Sequence, residues 1–201
     1  MYIHYSLTRF CFSNVIFFRI LFMYTNVCQK GAQQMKAFQI VDIKDFMKDL
    51  LVGDAFDSFR VSEFSVTTNV SYSIDGEIHP EFNSPSEGAS IPKNGETYIS
   101  WSDIKPFCFS IIKGKRTPLN FKIVFGLSKD DIARLLIDNK ISLNTDDIFG
   151  LYLNCQYENN SLMCVTGTSL RLFSLDKTLD NAWDTYVAEF LDNHGFTHEA
   201  I

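Results

Sequence analysis

The chain predicts an α+β domain in which about four helices pack on a mostly antiparallel sheet. Runs of strand-forming residues follow one another without regular helical crossovers, first over 59–78 and again over 149–175. Four other segments switch to apolar spacing of the i, i+3, i+4 kind. The glycine-rich turn of a dinucleotide-binding fold is missing, because Val41-Asp42-Ile43-Lys44 passes directly from the first strand into a helix.

Ala37 to Val41 is a short apolar run that reads as a strand. Asp42 caps a helix whose Ile43, Phe46, Met47, Leu50 and Leu51 share one face, with Gly53 ending it. From Phe59 to Ile78 the β-branched, aromatic and hydroxyl residues indicate two or three antiparallel strands, with turns at Asn69 and Asp75-Gly76. Residues 79–97 carry Pro80, Pro85 and Pro92 without periodicity, a composition that favours a mobile excursion. Ser102 is the expected cap of a second helix that would place Ile104, Phe107, Cys108, Ile111 and Ile112 inward. Pro106 would then fall in its first turn, and Gly114 would end it.

Leu119, Phe121, Ile123 and Phe125 alternate with other residues as in a half-buried strand. Ser128 with Asp131 starts a third helix using Ile132, Leu135 and Leu136. A hairpin follows, in which 149–157 meets 162–175 across an Asn159-Asn160 turn that sets Cys155 opposite Cys164. Two packed thiols are the expected state of that pair in a reducing compartment. Leu179, Trp183, Tyr186, Val187, Phe190 and Leu191 form the last helix. A frayed tail over 197–201, carrying His198, is expected after it.

Residues 1–34 are chemically distinct, with Arg9, Arg19 and Lys30 as their only charges. Lys30-Gly31-Ala32 can be encoded with AAGGAG eight bases before the Met35 codon, a spacing suited to starting translation at Met35. Arg19 interrupts the one apolar run, and that run is shorter than the roughly 20 residues a spanning helix needs. Residues 1–34 therefore read as an upstream extension, and 35–196 as one globular domain. Without the extension the chain holds 15 basic against 24 acidic side chains, a net charge of −9 in place of −6. Such a surface disfavours nucleic acid. If the chain starts at Met35, this together with few cysteines points to a soluble, acidic, cytoplasmic protein without a membrane contact; a membrane-associated segment or a secretory signal over residues 1–34 is the competing reading.

The concentrated positive feature is Lys113-Gly114-Lys115-Arg116-Thr117-Pro118, where cations and a glycine could hold a phosphate or carboxylate. It is not a P-loop, since Arg116 stands where Ser or Thr is required. A solvated turn after a helix end is the competing account. Thr166-Gly167-Thr168-Ser169 with Arg171 is the second candidate, because a glycine within a strand marks either a bulge or a close approach. Lys113, Gly114, Lys115, Arg116, Thr168, Ser169 and Arg171 are thus the candidate anion-binding residues, provided the two segments meet. A nucleophile paired with a base is not evident, since the domain has only His79, His194 and His198, and the last two lie beyond the last helix. No metal-ligand pattern or cofactor motif is present.

Taken together, Met35-Lys36-Ala37-Phe38, Ala55-Phe56-Asp57-Ser58-Phe59, Ile112 to Pro118, Cys164 to Leu170 and Asn181-Ala182-Trp183-Asp184 resemble a small uncharacterised bacterial family, a domain of unknown function. The resemblance spans Met35 to Phe196 and implies no activity, cofactor or catalytic residue. The expected function is a non-enzymatic binding or interaction module, its partner left open between a protein and a phosphorylated small molecule. The alternative is an enzyme or ligand-binding domain for a phosphorylated small molecule at 113–118, and a local nucleic-acid contact at that loop is a third reading.

Overall fold

The computed structural model describes residues 35–79, 82, 96–114 and 116–201. The expected upstream extension, most of the Pro-rich stretch and Lys115 lie outside these residues. The described chain forms an α+β domain with four helices and an eight-stranded antiparallel sheet. The strands are β1 (Ala37–Ile40), β2 (Arg60–Thr67), β3 (Ser71–Asp75), β4 (Ile99–Ser100), β5 (Asn120–Gly126), β6 (Ile148–Glu158), β7 (Ser161–Leu170) and β8 (His198–Ala200). The helices are α1 (Ile43–Leu51), α2 (Trp101–Ile112), α3 (Lys129–Asp138) and α4 (Thr178–Asn193). Strand order is β3-β2-β5-β6-β7-β1-β8, and β4 pairs with the start of β2 beyond the end of β3.

The register aligns apolar side chains into rows on one face. Phe38, Cys164, Cys155, Ile123 and Phe64 form one row across five strands, and Ile40, Leu162, Tyr157, Phe121 and Val66 form the next. All ten are buried and join the inward residues of the four helices in one core. Phe56 lies at its centre, with its ring 5.2 to 6.1 Å from those of Phe46, Phe59, Phe125, Phe190 and Phe196. The two tryptophans are also core anchors. Each is fully buried and donates its indole N–H, Trp101 to the Leu50 carbonyl at 2.8 Å and Trp183 to the Tyr152 carbonyl at 2.9 Å. The opposite face carries polar side chains, including a Lys122 to Glu63 ion pair at 2.7 Å.

Local signals explain most boundaries. Asp42 and Ser128 accept from the amides of Asp45 and Asp131, so α1 and α3 start where their caps require. Asn159 and Asn160 both have positive φ, 52° and 60°, the geometry of a type I′ turn. That turn sets Cys155 opposite Cys164, and the sulfurs lie 3.3 Å apart as free thiols. Gly76 is required by space, since a Cβ there would sit 1.7 Å from the Val61 carbonyl oxygen.

Three expectations change. Helix α2 starts at Trp101 after Ser100, because β4 is fixed to β2 and the Trp101 amide donates to Phe59 O. The earlier start carries Pro106 inside the helix; of the expected inward face Cys108 is buried, whereas Phe107 faces solvent and Trp101 is buried at the helix start. Strand β7 ends at Leu170, leaving Leu172, Phe173 and Leu175 exposed. Residues 198–200 form β8 on the outer edge of β1, where a frayed end was expected. Ladder bonding to a free edge needs no apolar alternation, and the His198 ring packs 5.3 Å from Phe38.

Candidate functional site

Four strands place Arg60, Gly126, Tyr152 and Gly167 side by side, alternating with the buried Val61, Phe125, Leu153 and Thr166. Glycines flank Tyr152 on both neighbouring strands, and one of them, Gly126, lines a cavity beside the Tyr152 ring. A third, Gly150, lies beneath the ring, since a Cβ there would come within 2.5 Å of Tyr152 Cζ. The β-bulge expected from the glycine in β7 falls on the neighbouring strand, between Ile148 and Gly150. At Gly167 the ladder is regular, and a Cβ there would meet nothing within 4 Å.

The resulting cavity measures about 120 Å³. Its walls include Tyr98, Tyr152 and Phe149, and its charged lining is Arg60, Lys129 and Arg171 against Glu96 and Asp146. An excess of cations here contrasts with the net −6 of the whole chain. Arg171 is held in place by its Nε, which donates to Asp146 O at 2.5 Å, and by its guanidinium, 4.5 Å above the Phe149 ring. Arg60 Nε is buried and has no hydrogen-bond partner; the nearest acid, Glu96, brings Oε2 to 3.6 Å. Leaving such a donor unmet costs roughly 1–3 kcal/mol, so its presence at a cavity marks a place that an anion can satisfy. Burial raises the Tyr152 phenol above its ordinary value and the neighbouring Tyr98 adds to the shift, so the hydroxyl is protonated and can donate at neutral pH.

The residues singled out from sequence are distributed differently. Lys113, Gly114 and Arg116 are exposed and lead into the Asn120 end of β5, which pairs with Glu158 beside the hairpin turn. Arg171 belongs to the other end, where Gly126 meets Tyr152. The two ends are separated by the seven-residue length of β5, about 20 Å, so the structure does not bring the loop and the 166–171 segment together. Alternation along β7 then divides the second group. Ser169 pairs with Gly150, whereas Thr168 points to the helix layer and donates to the Asp180 carboxylate.

Thr166 makes the matching contact two residues earlier. Its hydroxyl accepts from the Lys36 amide at 2.9 Å and donates to Asp184 at 2.5 Å. Asp180 and Asp184, one turn apart on α4, are both buried, and Lys177 lies 3.3 Å from Asp180. Burial raises the Asp184 carboxyl; its bond from Thr166 and the charge of Lys36 oppose that shift, and Asp180 reinforces it. The two threonine hydroxyls are therefore engaged by carboxylates of the protein itself. Sequence reading missed this pair, although two acids four residues apart beside the apolar stripe of α4 were a usable signal. Arg60, Glu96, Tyr98 and Tyr152 were also missed: strand register sets Arg60 and Tyr152 in one row, and Glu96 and Tyr98 join them from the segment leading into β4.

Other places are less suited to holding a ligand. A shallow hollow of about 620 Å³ beside Ile78, Phe82, Ile99 and Ile104 is lined, among the described residues, by Asp75, Glu77 and His79 and by no arginine or lysine. Among the described residues, no three His, Cys, Asp or Glu side chains converge as metal ligands would. Fold and site together define an antiparallel α+β domain with a small, cation-lined cavity at one end of its sheet. A family model described as a family of unknown function, DUF5721, matches residues 49–199, and the chain belongs to that family. No curated protein and no solved structure matches the chain.

Proposed function

We propose that the protein is a cytoplasmic, non-enzymatic binding module whose cavity takes one anionic head group, a terminal phosphate or carboxylate of a small molecule. The observation that carries this reading is the pair of arginines, Arg60 with a buried and unpartnered Nε and Arg171 immobilised by Asp146 and Phe149, on a cavity of about 120 Å³. Arginine guanidinium is suited to planar or tetrahedral oxyanions. The volume bounds the ligand, because a cavity of roughly 150 Å³ holds benzene. One phosphate or carboxylate fits, and the rest of the molecule would lie outside against Phe149 and the exposed Leu172 and Phe173.

The location is supported by two features. No helix among the described residues is long and apolar enough to cross a membrane. Cys108, Cys155 and Cys164 are all free and buried, as reducing conditions favour.

Thermal unfolding with inorganic phosphate, sugar phosphates, nucleotides and dicarboxylates tests the reading. A ligand at ten times its dissociation constant should raise the melting temperature by about 3–5 °C. Arg171→Gln should remove that shift while leaving the unliganded melting temperature nearly unchanged, since Arg171 is exposed. An equal response in Arg171→Gln, or no response to any anion, would count against the site. Turnover of the bound molecule would count against a purely binding role.

A further inference from the structure

We infer that Glu96 is an internal competitor for this cavity, a carboxylate of the chain occupying the position that an external oxyanion must take. The inference rests on the anion-binding reading above. Glu96 reaches two of the groups that an incoming anion would use. Its Oε1 accepts from the Lys129 amide, the first residue of α3, at 3.2 Å, and its Oε2 faces Arg60 Nε at 3.6 Å. The side chain is only 11 % exposed, so it is seated in the site rather than lying across the solvent.

Both contacts are weak in form. The amide contact lies at the long limit for N–H···O, and the arginine contact is beyond hydrogen-bond length. Arg60 Nε consequently has charge nearby but no bond. The remaining interaction with Arg60 is mainly electrostatic, and an unattached phosphate or carboxylate oriented to both donors can improve on it. Ser128 does not compete for that amide, because its hydroxyl accepts from Asp131 and donates to the Asp131 carboxylate at 2.5 Å.

This arrangement makes binding an exchange. Glu96 must leave Arg60 and the Lys129 amide as the ligand arrives, so the measured affinity is the ligand's advantage over Glu96 and not its affinity for an empty site. Removal of the negative charge should then tighten binding, the opposite of what substitution of a ligand-contacting residue does. A residue that holds the pocket open, or one that donates to the ligand, would weaken binding when replaced.

The test is calorimetric titration of inorganic phosphate into the full 201-residue chain, its Glu96→Gln variant, and Arg171→Gln in both backgrounds. Glu96→Gln should bind phosphate roughly tenfold more tightly, the scale of one charge-assisted contact, and Arg171→Gln should weaken binding in either background. If wild type binds and Arg171→Gln weakens it while Glu96→Gln is unchanged or weaker, the competitor role falls and the anion site stands. If neither wild type nor Glu96→Gln binds phosphate, both fall. A measurement on wild type alone covers a Glu96 variant that fails to fold. During a phosphate titration followed by amide resonances, the Lys129 signal should move together with those of Gly126 and Gly150. Movement of the glycine signals with an unmoved Lys129 would overturn the exchange.

Discussion

At the scale of single residues, burial and partner decide what a polar side chain can contribute. Thr166 and Thr168 look alike in sequence to any hydroxyl-rich anion site, but alternation along β7 aims both at carboxylates of α4. Asp184 then carries a testable signature. Its carboxyl is raised in the folded protein, principally by burial, so the native state holds the proton more firmly than the unfolded chain. The folded state gains from this below the ordinary value of 3.8, and the gain is lost as pH rises through the raised folded value. Asp184→Asn keeps an acceptor for the Thr166 hydroxyl and removes the titration. Chemical unfolding measured from pH 3.5 upward should show the wild type losing stability relative to Asp184→Asn across that window. A constant difference between the two proteins at all pH values would show that Asp184 does not titrate abnormally.

Elements were legible where a local signal was sufficient. The caps Asp42 and Ser128, the stripe of α4 and the Asn159-Asn160 turn needed no tertiary information, and each element lies within a few residues of its expected place. The start of α2 was not legible, because β4 pairing with β2 overrides the choice between Ser100 and Ser102. Strand β8 was equally hidden, since an edge strand three residues long is held by ladder bonds and not by pattern. The hairpin turn offers a direct check. Both variants lose the bond that the Tyr157 hydroxyl donates to Asn160 Oδ1, but Asn160→Val also places a β-branched residue at φ 60° and should be about 1–2 kcal/mol less stable than Asn160→Gly. Urea unfolding measures both, and equal stabilities for the two variants would contradict the type I′ assignment.

For the whole molecule, the register is what sequence could not supply. Strand β2 precedes β5 by more than fifty residues, and β7 follows it by some forty, yet Arg60, Gly126, Tyr152 and Gly167 stand in one row. The glycines were the accessible trace of the site, since Gly126, Gly150 and Gly167 each interrupt a strand that otherwise carries bulk. Arg171 was identified as an anion-binding candidate from its neighbours in β7, and the fold gives it different company. Lys113 and Arg116 remain on the opposite end of β5 from it, exposed and joined to the hairpin-turn end of the sheet. Charge is also uneven at this scale: the chain is acidic, and its small cavity is lined by three cations and two acids.

The most direct measurement is a crystal structure of the full chain grown or soaked with selenate, an oxyanion whose anomalous scattering locates it without ambiguity. One selenate should lie between the Arg60 and Arg171 guanidinium groups, with Glu96 withdrawn from the Lys129 amide. Selenate at the Lys113 to Arg116 loop, with Glu96 still seated beside Arg60 and the cavity unchanged, would contradict the account.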